Sequence, residues 1–88
     1  MIRITKLTDY GILVLTLFAD LPEGAKVSAR DLAEETYLPQ PTVGKILRLL
    51  TRAGLLTSTR GASGGYRLAR PPEAISIIDV IQAFEGPI

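Results

Sequence analysis

The sequence predicts a mainly α domain with one small β-hairpin, and three observations carry that expectation. VSARDL at 27–32 and ISIIDV at 75–80 share the grammar of a capped helix start. Apolar residues elsewhere recur at helical spacing. TSTRGASGGYRLAR at 57–70 sets two short alternating runs around a glycine-rich turn. With 88 residues, 47% of them apolar and only 22% charged, the chain is expected to fold as one domain spanning 1–88. A core that small only just outweighs conformational entropy, so a partner chain is a natural source of further stability.

The first helix is expected from about Lys6 to Asp20, capped by Thr5 and stopped by Pro22 and Gly24. Leu7, Tyr10, Val14, Leu17, Phe18 and Leu21 form its core face. Ile12, Leu15 and Ala19 make a second apolar stripe, which calls for burial on two sides and points to a second subunit. The second helix begins with Ser28 as N-cap, Asp31 as an acidic capping-box residue, and Val27 with Leu32 as a hydrophobic staple. Ser76, Asp79, Ile75 and Val80 repeat those roles for a last helix over 77–85, closed by Gly86 and Pro87.

Between them, LPQPTVGKILRLLTRAGLL reads as a third helix. Pro39 and Pro41 are tolerated only in its first turn, and Gly54 suits a left-handed C-terminal cap. Val43, Ile46, Leu47 and Leu50 point one way on this helix, and Pro41, Lys45, Arg48 and Arg52 the other. Only a few residues around Tyr37 to Pro39 join the second and third helices, which makes 28–53 a helix-turn-helix candidate. The hairpin follows over 55–70. Leu56 and Ser58 alternate with Thr57 and Thr59, Tyr66 and Leu68 alternate with Arg67 and Ala69, and two prolines end the second strand.

Charge is unevenly spread. The formal net charge is +1, yet residues 26–70 hold eight cations against three acids, and no acidic side chain lies between Glu35 and Glu73. A solvated basic face is the plain interpretation. The element order favours another: two short-jointed helices with a basic outer face, then a glycine-tipped basic hairpin, is the order of a winged helix-turn-helix that binds DNA. Glycines let backbone amides approach phosphates while Arg60 reaches along the backbone or into a groove. A nucleotide-phosphate loop would need a helix after the glycines and a Gly-Lys-Ser/Thr run, and has neither. A protein-docking module is the alternative use of the same fold.

Other classes fall away. Without cysteine or histidine there are no disulfides, thiolates or ordinary zinc sites, and most general-base mechanisms are lost. Glu34 and Glu35 are neighbours on one helix and face different directions, so no enzymatic constellation is expected. The apolar run GILVLTLFA at 11–19 is half the length of a bilayer span. After MIRITK that run imitates a signal peptide, but Asp9 stands at its front and its removal would cost the chain its longest helix. A cytoplasmic protein without membrane contact is expected.

KLTDYG at 6–11, PTVGKILRLLTRAGLL at 41–56, STRGASGGYRLAR at 58–70 and EGPI at 85–88 resemble the Rrf2 family of bacterial winged-helix regulators, the IscR- and NsrR-like proteins. Within that family the resemblance is strongest to the subgroup regulating the SUF iron-sulfur assembly operon. It implies a homodimeric transcriptional regulator of iron-sulfur assembly genes that binds double-stranded operator DNA. It also implies an iron-sulfur cluster on cysteines beyond residue 88, so the chain is expected to be the DNA-binding part of a longer regulator. The family's recognition helix falls on residues 40–53. Gln40, Thr42, Gly44 and Lys45 lie in its first turns, Lys45 as a guanine contact, with Arg48 and Arg52 on phosphates. Ser28 is a cap whose helix N-terminus also suits a phosphate. The wing arginine falls on Arg60, with Ser63, Gly64 and Gly65 at the tip. Arg67 and Arg70 lie farther away, either on the same surface or as solvent-facing strand residues.

Overall fold

Where the third helix ends, the backbone shows how this small chain turns corners. In the computed structural model, which describes residues 5–61 and 64–86, α3 (Gln40–Arg52) is followed by Ala53 and then by Gly54 at φ +80°. The Gly54 N–H donates to the Thr51 carbonyl at 3.0 Å and the Leu55 N–H to the Leu50 carbonyl at 3.0 Å, the two bonds of a Schellman motif. Leu50 and Leu55 are both buried, the apolar contact that accompanies this cap. The turn therefore closes the helix and delivers Leu55 and Leu56 to the core in one step.

Before α3 come α1 (Lys6–Ala19) and α2 (Ala29–Thr36). After it come β1 (Leu56–Thr59), β2 (Gly65–Leu68), a 3₁₀ turn (Pro72–Ala74) and α4 (Ile77–Glu85). The strands are antiparallel, in the register Leu56↔Leu68, Thr57↔Arg67, Ser58↔Tyr66 and Thr59↔Gly65. Four helices and this hairpin make a winged helix-turn-helix.

The caps work as the residue types dictate. Thr5, Ser28 and Ser76 each accept the backbone N–H three positions on. At α4 the Asp79 carboxylate also accepts the Ser76 N–H at 2.9 Å, completing the capping box. Of the expected stops, Pro87 lies outside the described residues, while Gly86 caps α4 at φ +85°.

Val43, Ile46, Leu47 and Leu50 of α3 are completely buried and meet Val14, Leu15 and Phe18 of α1, Leu32 of α2, Leu55, Leu56 and Val80 of α4. Leu21 departs from the expected core face and is 38% exposed, because α1 ends at Ala19 and Leu21 sits on the turn beyond it. The second stripe divides: Leu15 is buried, Ile12 half-buried and Ala19 exposed. Leu13, Ile77 and Ile78 are also exposed, so α1 and the start of α4 keep uncovered apolar surface.

Two long-range ties hold the hairpin and the helix ends. Val27 and Tyr66 exchange both backbone hydrogen bonds, at 2.9 and 2.8 Å, adding a one-residue third strand beside β2, one pair in from the turn. At the other end, one Glu85 carboxylate oxygen accepts from the Thr5 N–H at 3.2 Å, the Thr5 hydroxyl at 2.8 Å and the fully buried Thr8 hydroxyl at 2.6 Å. A carboxylate is thereby held at the N-terminus of α1, where the helix dipole favours it.

Candidate nucleic-acid interface

The interface begins at the joint between α2 and α3. Tyr37 ends α2 in the left-handed region at φ 60°, ψ 23°, a conformation usually left to glycine or asparagine. Its side chain is 94% exposed. The Leu38 N–H donates to the Thr36 hydroxyl at 3.3 Å, and Pro39 then opens α3, so three residues join the two helices. No side chain caps α3, and Pro41 has no N–H, which leaves the Gln40 and Thr42 amides at the helix start without helical partners.

Helical geometry places Lys45, Arg48 and Arg52 in one stripe, at i, i+3 and i+7, and all three are exposed opposite the buried face. Among the described residues none of the three, nor Arg60, has an ion-pair or hydrogen-bond partner. That is an electrostatic surface left open to a polyanion. Gln40 is exposed; Thr42 and Gly44 are half-buried, and nothing lies within 4 Å of where a Gly44 β-carbon would stand.

In the wing, Arg60 follows β1 and is exposed. Gly61, at φ +103°, accepts the Gly64 N–H at 2.9 Å, and a β-carbon on Gly64 would strike the Thr59 carbonyl. Gly65 is placed differently from the tip position expected of it. It is the first residue of β2, pairs with Thr59, and brings its α-carbon against the Val27 backbone, where a β-carbon would lie 3.1 Å from the carbonyl oxygen. Ser63 lies outside the described residues. Ser28 is half-buried and its hydroxyl is engaged by the Asp31 N–H at 3.0 Å.

The outlying arginines separate. Arg67 is half-buried in β2 opposite Thr57. Arg70 donates to the Ala74 carbonyl at 3.4 Å and stands 3.8 Å from the Asp79 carboxylate, which ties the end of the wing to the start of α4. The Ser76 backbone N–H holds the Asp79 carboxyl below its ordinary value; burial opposes this, and the Ser76 side chain and Arg70 add to it.

An iron-sulfur cluster does not fit the residues present. The 88 residues include no cysteine and no histidine, and among the described residues no three acidic side chains group to hold a metal ion. A surface cleft lined by Phe18, Ala19, residues 21–25 and residues 68–73 contains no residue of α3. Among the described residues no helix is long and apolar enough to cross a membrane.

Solved structures share this arrangement. CymR, the global cysteine regulator of B. subtilis, is 33% identical, with a TM-score of 0.84 over 100% of this chain and 68% of its own. IscR of T. potens is 34% identical, with a TM-score of 0.84 over 96% of this chain and 61% of its own. Staphylococcus aureus CymR is 37% identical, with a TM-score of 0.77 over 96% and 69%. The chain thus spans between 61% and 69% of the length of these three proteins. The model of the Rrf2 family, described as an iron-dependent transcriptional regulator, matches residues 4–88. By that match and by the structures that share its fold, the chain belongs to the Rrf2 family of transcriptional regulators.

Proposed function

We propose that this chain reads operator DNA sequence-specifically, with α3 in the major groove and the wing on the adjacent backbone. The observation that carries this is the division of α3: one face completely buried, the other holding Lys45, Arg48 and Arg52 without a carboxylate partner among the described residues. Exposed cations kept free of internal partners are available to phosphates, each contact releasing counterions. Gln40, Thr42, Gly44 and Lys45 face base edges, Lys45 toward guanine; Arg48, Arg52 and Arg60 meet phosphates. Ser28, at the start of α2, brings backbone amides to the same strand, and Ser63 and Gly64 are further contacts to it. Gly65 supports the wing from within β2.

The regulated genes are those of iron-sulfur cluster assembly, and the cluster is held by cysteines beyond residue 88. The full-length protein is a homodimer in the cytoplasm. The uncovered Leu13, Leu21, Ile77 and Ile78 support a partner surface on α1 and α4. Selection from a randomised duplex library, followed by fluorescence anisotropy on the enriched duplex, tests the DNA reading. Binding is expected to prefer that duplex over a scrambled one and to weaken steeply with salt; binding indifferent to both overturns it.

A further inference from the structure

One bridge ties the backbone of the wing to the helices, and it lies beside the start of α2. Among the described residues, Val27 and Tyr66 exchange the only backbone hydrogen bonds that run from β1 or β2 to a segment outside the hairpin. A two-stranded hairpin has little stability of its own. Leu56 and Leu68, the pair farthest from the turn, are fixed by packing on the core. Toward the turn Ser58 and Thr59 of β1 are exposed, so the direction of that half depends on what holds β2.

Gly65 shows how close that hold is. Of the described glycines it alone would set a β-carbon against the backbone of a segment outside its own, 3.1 Å from the Val27 carbonyl oxygen. Gly64, by contrast, is crowded from within the wing, and Gly11 by the Phe84 side chain. A side chain at position 65 would press the Val27 and β2 backbones apart by a few tenths of an ångström. Outward, that shift passes to Thr59, the partner of Gly65, and so to Arg60, the next residue. Inward, Val27 leads directly into Ser28, the N-cap of α2. Arg60 and the helix-turn-helix are therefore placed relative to one another through a single bridged pair.

We infer that Gly65 and Val27 are positioning residues for DNA binding: Gly65 by its missing side chain, and Val27 by its two hydrogen bonds, set the wing against the start of α2 so that Arg60 meets the duplex while α3 is seated in the groove. This rests on the DNA reading proposed above. Neither residue needs to touch the duplex.

The test uses the full chain and the duplex enriched from the randomised library. Gly65→Ala pushes on the bridge from the wing; Val27→Pro removes its N–H donor from the other side. Anisotropy across a salt series is measured for each, alone and combined with Arg60→Ala, with thermal unfolding of the same samples. Each single variant is expected to weaken binding about tenfold and to flatten the salt slope by about one unit, as Arg60→Ala does. Tm should fall by about 4–8 °C. Gly65→Ala removes no charge, so a flatter slope reports a displaced arginine. Adding Arg60→Ala should then cost less than about twofold further, because its phosphate contact is already lost. If Tm falls while affinity and slope below the transition stay at wild-type values, the bridge is structural only and the assignment is overturned. Losses that multiply to about a hundredfold in the double variant overturn it too, since the two sites would then act independently. Gly65→Ala, the milder change, decides alone if Val27→Pro unfolds the chain. If Arg60→Ala by itself leaves the slope unchanged, the wing contact proposed above fails and takes the positioning role with it; if Arg60→Ala flattens the slope and Gly65→Ala does not, only the positioning role falls.

Discussion

Two sets of arginines from the same acid-free stretch of sequence have opposite fates in the fold. Arg48 and Arg52 stand on α3 with no partner among the described residues, whereas Arg70 is engaged by the Ala74 carbonyl and the Asp79 carboxylate. In sequence they look alike, since no acid lies between Glu35 and Glu73. The difference is that Asp79 returns to Arg70 through the 3₁₀ turn, while among the described residues no carboxylate pairs with the outer face of α3. A cation's role therefore follows from what the topology brings back to it, and only the unpartnered ones are available to a polyanion.

The largest effect expected from this contrast comes from emptying the α3 stripe. Lys45→Ala/Arg48→Ala/Arg52→Ala should lower operator affinity on the order of a thousandfold and reduce the salt slope by about 2 units, one for each arginine that meets a phosphate. Its Tm should barely change, because these side chains are exposed and unpaired. Anisotropy across a salt series and thermal unfolding of the same samples check this. A fall in Tm as large as a core substitution would mean the stripe is structural, and the comparison would break.

Arg60→Ala extends the contrast to the wing with one charge. About tenfold weaker binding and a salt slope flatter by about one unit are expected if the guanidinium meets a phosphate. An unchanged slope would remove Arg60 from the open set and leave α3 to bind alone.

How much of this could be read in advance depends on sequence distance. Ser28 and Ser76 as caps, Gly54 as the helix stop, and the buried and cationic faces of α3 all follow from neighbours within a turn or two, where spacing dictates geometry. Long-range ties left no such trace. The Val27–Tyr66 bridge is a single residue without strand periodicity, and Val27 looks only like a staple. The Thr8–Glu85 bond spans almost the whole chain. Tyr37 was hidden for another reason: its residue type argues against the left-handed conformation that the short joint imposes. Gly65 read as part of the tip because glycine runs do not show where a strand resumes. In the candidate site, the α3 stripe was legible from periodicity alone, whereas separating Arg70 from it required the fold.

Arg70 supplies the smaller test. Arg70→Ala should leave operator affinity and salt slope unchanged and lower Tm by at most about 4 °C, since the lost pair is half-exposed. A DNA defect in this variant would move Arg70 to the other side of the comparison.

The subtlest prediction separates the ion pair from the cap beneath it. Because the Asp79 carboxyl is held below its ordinary value in the fold, its contribution is fully present above the unfolded value near 4 and is lost as pH falls through the lower folded value. The Ser76 backbone N–H is the main cause and Arg70 the weakest, so the two partners should separate in acid. Unfolding followed from pH 5 down to pH 2 should show a shallower acid decline in Asp79→Asn than in wild type. In Arg70→Ala most of that decline should persist, because the capping box still favours the ionised carboxylate. If Arg70→Ala flattened the acid limb as much as Asp79→Asn, the guanidinium and not the capping box would be what holds the carboxylate ionised. Arg70 would then matter to the start of α4 more than its 3.8 Å separation from Asp79 implies.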